Sequence, residues 1–138
     1  WYINTNITYA FDGTNATGSY GDATAKAHAD ANATDDDGVD LDPVVVIEGL
    51  KTKLIRTIKS QAEVELNRTD WYITRKAEKN TAIPSAITTH RDAVRSKQAA
   101  METAITNASD TPALETLYTY TRQEDGSVTR PLGELPTL

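Results

Sequence analysis

An apolar stripe recurring at spacings of three and four residues constrains this chain more than any other feature. Ile47, Leu50, Leu54, Ile58, Ala62 and Leu66 form the stripe, with Val44 and Ile55 beside it, while Lys51, Lys53, Arg56, Lys59 and Glu63 take the other side. That spacing predicts an amphipathic helix of about six turns over residues 44–67. Pro43 suits the first helical position, where its missing N–H has no intrahelical partner, and Asp42 is placed to cap it. Thr69 or Asp70 can cap a second, shorter helix over 70–79, beginning at Trp71. Pro84 opens a third over 84–108, in which Ile87, Val94, Met101 and Ala108 recur every seven residues, with His90, Lys97 and Ala104 between them. Ala86, Ala93 and Ala100 add a row of small residues. The result is a heptad-like seam with a half-polar lining, which permits close helix approach. Ile47, Leu50, Leu54, Ile58 and Trp71 are expected to bury against Ile87, Val94, Met101 and Ile105.

Upstream the periodicity stops and the charge changes. Residues 1–42 hold eight Asp and one Lys, and the remaining residues 12 acids and 13 bases. The acidic segment is rich in Asn, Thr, Gly and Ala, which favour turns and extended chain. A seam near Asp42-Pro43 therefore divides an N-terminal β lobe or arm, 1–42, from a helical domain, 43–138. Tyr2, Ile3, Ile7, Tyr9 and Phe11 alternate with polar residues and lead into Asp12-Gly13, predicting two short strands around a turn. Ala23 to Ala33 predicts a short helix capped by Asp22 and ended by Asp35-Asp36-Asp37-Gly38. At the other end, a helical turn after Thr111-Pro112 leads to a hairpin in which Tyr118 to Thr121 pairs with Ser127 to Thr129 around Asp125-Gly126. Pro131, Gly133 and Pro136 predict an irregular tail. The fold class expected is α+β: two long helices and a short one, a small N-terminal β region and a C-terminal hairpin.

Composition narrows the function. The 138 residues include no cysteine, which removes disulfides, thiolate metal sites and cysteine nucleophiles. A net charge of −6 argues against a duplex nucleic acid partner, which leaves a basic footprint. The longest apolar run, Val44-Val45-Val46-Ile47, is too short to cross a membrane. The start at Trp1, without an initiator Met or a signal peptide of the usual form, suggests a trimmed or partly ordered product of a longer chain. At 7% aromatic residues the core is thin, which makes packing against other chains attractive.

Chemistry-bearing motifs are few. Asp35, Asp37 and Asp40 resemble part of a calcium loop, but with Gly38 in the loop's glycine position the first and last ligands would be Ala33 and Val44, which cannot ligate. A solvated acidic connector is the simpler reading, and neither cofactor nor metal is expected. Asn6, Asn15, Asn32, Asn67 and Asn107 each start a glycosylation tripeptide, as an Asn- and Thr-rich composition produces by itself. His28 and His90 are 62 positions apart, and no nucleophile elbow, zinc-helix or phosphate-loop pattern occurs. Glu63 and Glu65 point to different helix faces. No enzymatic activity is expected, and His90 is expected to be a polar core or interface residue. Arg68, Arg75, Lys76 and Lys79 beside Trp71 and Tyr72 could stack on single-stranded bases. The structural expectation is instead that Trp71, with Ile73 or Thr74, packs inward and Arg75 pairs with a carboxylate.

One block is more specific. Thr69-Asp70-Trp71-Tyr72-Ile73-Thr74-Arg75-Lys76-Ala77-Glu78, then Ala82-Ile83-Pro84, then His90-Arg91-Asp92-Ala93-Val94-Arg95, resembles a block in virion proteins of tailed bacteriophages, particularly tail-fibre and tail-associated proteins of marine and cyanobacterial phages. Met101 to Ile105, Leu114 to Tyr120 and Arg130 to Pro136 continue the likeness, which covers roughly residues 47–138. A related W…Y-R-x-x-L-R arrangement occurs in phage tail-assembly and fibre-assembly chaperones, although here His90-Arg91 replaces the aromatic-Arg pair. The resemblance implies a non-enzymatic virion component located in the tail or fibre, and in the host cytoplasm during assembly. Its partners would be other virion proteins and copies of itself, with the trimer of phage fibres as the expected state. The alternatives are an assembly chaperone, and a carbohydrate- or calcium-binding recognition module. Physically, the block describes a helical hairpin: Asp70 caps the second helix, Trp71 anchors it on the first, and Arg91 and Arg95 face carboxylates such as Glu78 or Glu102. The residues expected to carry folding and interfaces are Trp71, Ile87, His90, Arg91, Val94, Arg95, Met101 and Ile105.

Overall fold

A computed structural model describes residues 1–4 and 6–138. The chain divides into two compact units, Trp1–Leu50 and Lys51–Leu138, so the boundary falls after the Asp42-Pro43 seam.

The N-terminal unit consists of antiparallel ribbons. Strands β2 (Ile7–Phe11) and β3 (Ala16–Tyr20) form a hairpin in which Ile7 faces Tyr20 and Phe11 faces Ala16. The turn is held by the Asp12 carboxylate, which accepts from Thr14 and Asn15 N–H at 2.9 and 2.7 Å. Gly13 follows at φ +96, a backbone conformation that a side chain disfavours. Around this hairpin, β1 (Tyr2–Ile3) pairs with β4 (Thr24–Ala25), and β5 (Ala31–Asn32) pairs with β6 (Val46–Ile47).

Two helical expectations fail in this unit. Ala23 to Ala33 contains β4 and β5, and Asp22 caps no helix there. The long helix α1 spans Leu50–Asn67, not 44–67, because residues 46 and 47 are already committed to β6. Val44 to Ile47 is an uninterrupted β-branched run, restricted at χ1 and suited to a strand. Asp42 and Pro43 therefore do not begin a helix. Gly49 marks the change of direction: its N–H donates to Asp30 Oδ1 at 2.8 Å, and a Cβ there would collide with the Ala29 carbonyl.

The second unit is a helical hairpin with additions. After α1 come α2 (Asp70–Lys79), α3 (Ser85–Asn107) and α4 (Thr111–Tyr118). Lys51 Nζ donates to the Thr106 carbonyl, Lys59 lies 3.5 Å from Glu102, and Arg91 reaches the Leu66 carbonyl. These ties run in opposite order along the two helices, so α1 and α3 are antiparallel. Asn80, at φ 53, ends α2 by donating its N–H to the Lys76 carbonyl. Asp110 caps α4 through the Ala113 N–H, with Pro112 in the first turn. Strands β7 (Thr121–Arg122) and β8 (Val128–Thr129) form a hairpin whose first strand starts later than expected, because Tyr118 ends α4 and Thr119 and Tyr120 lie outside the strand, and the tail beyond it is irregular.

Among the described residues, the hydrophobic core lies in this unit. Ile58, Ala62, Ile87, Val94, Met101, Ile105, Ala108, Leu114 and Leu132 are buried. Leu50 and Leu54 are half-buried, and Ile47, expected inside, is 58% exposed because it belongs to a ribbon rather than to α1.

Candidate functional site

Arg91 is buried on α3, with 8% of its surface exposed. Its Nη1 donates to the Leu66 carbonyl at 2.8 Å, and to Thr69 Oγ1 and Asp70 Oδ1 at 2.7 Å each. The nitrogen carries two hydrogens and meets three oxygens, so one hydrogen is shared. Leu66 lies in the last turn of α1, where carbonyls lack intrahelical partners, and Asp70 is the first residue of α2. One guanidinium thus ties α3 to both sides of the α1–α2 turn. This differs from the expected pairing with Glu78 or Glu102: Asp70 is the partner of Arg91, Glu102 pairs with Lys59, and Arg95 lies 3.4 Å from Asp92 on its own helix. Neither expected cap of α2 is made through a side chain, because Thr69 Oγ1 donates to the Leu66 carbonyl and Asp70 faces Arg91.

The seam residues are buried within the chain. Ile87 is 7% exposed, and Val94, Met101 and Ile105 are at 1% or less. The first helix and the C-terminal elements therefore occupy the face that the heptad spacing offered to neighbouring copies. Lys97, on the same seam, donates to the Leu132 carbonyl at 2.9 Å, so its partner comes from the tail of its own chain. His90 is half-buried, and its enclosed Nε2 has no hydrogen-bond partner among the described residues. A groove of about 730 Å³ beside α3 is lined by Arg95, Gln98, Glu102 and Thr103 among others, and neither histidine lines it.

Trp71 departs most from expectation. It is 51% exposed, and no residue of α2, all of which are described, is buried. Its ring lies 3.8 Å from that of Tyr72, centre to centre, and the Arg75 guanidinium sits over both, 4.7 Å from Trp71 and 5.2 Å from Tyr72. Arg75 thus stacks on aromatic faces rather than on the expected carboxylate. The helix is joined to the unit by Asp70 and its connections, which leaves the Trp71 side free of the core.

Asp35, Asp37 and Asp40 do not converge. Asp35 Oδ1 accepts from the Asp37 and Val39 N–H groups, and Asp40 accepts from Asn32 Nδ2 at 2.6 Å. Among the described residues, no three His, Asp or Glu side chains are grouped to hold a metal, and no helix is long and apolar enough to cross a membrane.

No family model, curated protein or solved structure matches the chain. The geometry is therefore its own guide.

Two features escaped the sequence reading. Asp110 before Thr111-Pro112 is a recognisable cap-then-proline signal. The second is a clamp at the C-terminus, where Arg130 stacks 5.1 Å from Tyr118 and 5.2 Å from Tyr120 while its Nη2 donates to Glu134. Tyr120 Oη donates to the same carboxylate, a bond that pushes the Tyr120 hydroxyl above its ordinary range. No spacing rule links residues so far apart.

The N-terminal unit presents a surface instead of a core. Tyr9 is 78% exposed, Phe11 71% and Tyr20 66%, and Ile7, Val39 and Val44 to Ile47 are open as well. Among its described residues no hydrophobic side chain is buried.

Proposed function

We propose that the chain is a non-enzymatic structural component of a bacteriophage particle, a tail or tail-fibre protein acting in virion assembly or host attachment. The observation that carries the structural part of this reading is the open N-terminal unit. Two-stranded ribbons are marginal on their own in water, and exposed apolar surface on this scale marks a site of protein contact. A unit with Tyr9, Phe11 and Tyr20 all open gains its cover from an assembly. The phage part rests on the resemblance of the 69–95 block. Within that block, Thr69, Asp70 and Arg91 meet in one hydrogen-bonded cluster, a folding role consistent with a structural protein.

Mass spectrometry of purified phage particles tests the proposal. The chain is expected in stoichiometric amounts relative to other tail proteins. Its absence from finished particles, together with its presence in infected-cell extracts, would favour an assembly chaperone instead.

A further inference from the structure

We infer that the aromatic and basic face of α2 docks the acidic N-terminal unit of a second copy of this chain, giving head-to-tail association. At 100° per residue, Trp71, Arg75, Lys79, Tyr72 and Lys76 fall within a sector of about 140° on α2. Two aromatic rings and three cations share that sector, and its one acidic neighbour is Glu78 at the edge. Trp71 is half exposed, Lys76 and Lys79 are exposed, Tyr72 and Arg75 are half-buried, and no residue of the helix is fully buried. The core does not explain this face.

Charge complementarity selects the occupant. Trp1–Leu50 carries eight Asp and one Glu against one Lys, and no cation follows Lys26 within it. Its acidic turn, Asp35 to Asp42, includes the exposed apolar residues Val39 and Leu41 and is followed by exposed Val44. An acidic surface with apolar residues interleaved fits a basic surface with aromatic residues interleaved: carboxylates meet Arg75, Lys76 and Lys79 while apolar side chains cover Trp71. The two surfaces differ, so the contact is heterologous and builds a ring or an open filament rather than a two-fold dimer. It also replaces the Val94 seam, which is buried within the chain, as the route to self-association. The contact supplies a partner for the open unit in the reading above, and it is tested on purified protein, so its failure leaves the virion assignment to the particle measurement.

Sedimentation velocity of the purified full chain, at rising concentration and at low and high salt, is the experiment. The expected result is concentration-dependent growth beyond the monomer that weakens with salt. Reversing the face with R75E, K76E and K79E is expected to weaken association at least roughly tenfold. Circular dichroism should be unchanged, because none of the three is buried. Reversing the turn with D35K, D36K and D37K should have the same effect. Each variant keeps one intact surface, and the two reversed surfaces are again opposite in charge, so mixing the two variants should restore the association that each has lost. A wild-type monomer at every concentration would overturn the inference, and so would a face-reversed variant that associates like the wild type. A monomer that binds an oligothymidylate through Trp71 would overturn it in favour of single-stranded nucleic acid.

Discussion

Arg91 donates to oxygens from the end of α1, the linking turn and the start of α2, all from one nitrogen on α3. Charged hydrogen bonds of this kind contribute more than neutral ones. Arg91→Met is expected to cost about 2–3 kcal/mol, and Arg91→Lys should recover part of it, since a single ammonium carries three N–H donors for the three oxygens. Urea denaturation followed by helical circular dichroism measures both; a lysine variant no more stable than the methionine one would show that the longer reach of the guanidinium, and not its charge, ties the turn. In the core, Ile58 and Ile105 are 1% and 0% exposed, so either changed to Ala should lose about 2–5 kcal/mol. Leu54 is half-buried, and Leu54→Ala should lose clearly less than Ile58→Ala in the same assay. The 69–95 block contains both Arg91 and its partner Asp70, but sequence spacing does not pair them. Helical spacing locates residues on a face, whereas the crossing of α3 over the α1–α2 turn brings Asp70 within reach.

At the scale of elements, strong periodicity located the helices and local chemistry corrected their ends. The stripe from Leu50 to Leu66 is a helix as spaced, yet the same stripe extended backwards includes Ile47, which β-branched neighbours and Gly49 assign to a ribbon. Ala-rich sequence between Ala23 and Ala33 has helical propensity but no apolar stripe to bury, and pairing with β1 and β6 prevails. Trp71 is expected inward as the anchor of the second helix on the first, whereas α2 exposes it. The Asp12-Gly13 hairpin was legible because its turn chemistry is local. There, N–H groups of Asn15 and Thr14 hold the Asp12 carboxyl below its ordinary value. The folded turn prefers the carboxylate, so its stabilisation is present above the ordinary carboxylate range and fades as pH falls through the lowered value. An NMR titration should show the Thr14 and Asn15 amides moving together at a midpoint below that of a free aspartate; a midpoint at the ordinary value would mean that the bonds do not form in solution. Asp125, bonded by the Ser127 hydroxyl and N–H, should behave the same way in the second hairpin.

At the scale of the whole molecule, the chain pairs a helical unit that has a core with a ribbon unit whose described residues form none. Val94 lies at 0% exposure in the first, so Val94→Glu should unfold the helices instead of merely separating copies. Loss of helical circular dichroism in that variant would support this, and a folded variant with altered assembly alone would return the seam to the interface. The ribbon unit should open readily in the free chain, because its hydrogen bonds are exposed and little apolar surface holds it shut. Hydrogen exchange followed by mass spectrometry, on the free chain and on intact particles, tests this division most directly. Peptides from 1–47 are expected to exchange quickly in the free chain and slowly in the particle, while peptides from α3 stay protected in both. Residues 1–47 protected in the free chain as strongly as α3, or equally fast in both states, would contradict an account in which the N-terminal unit is completed by assembly.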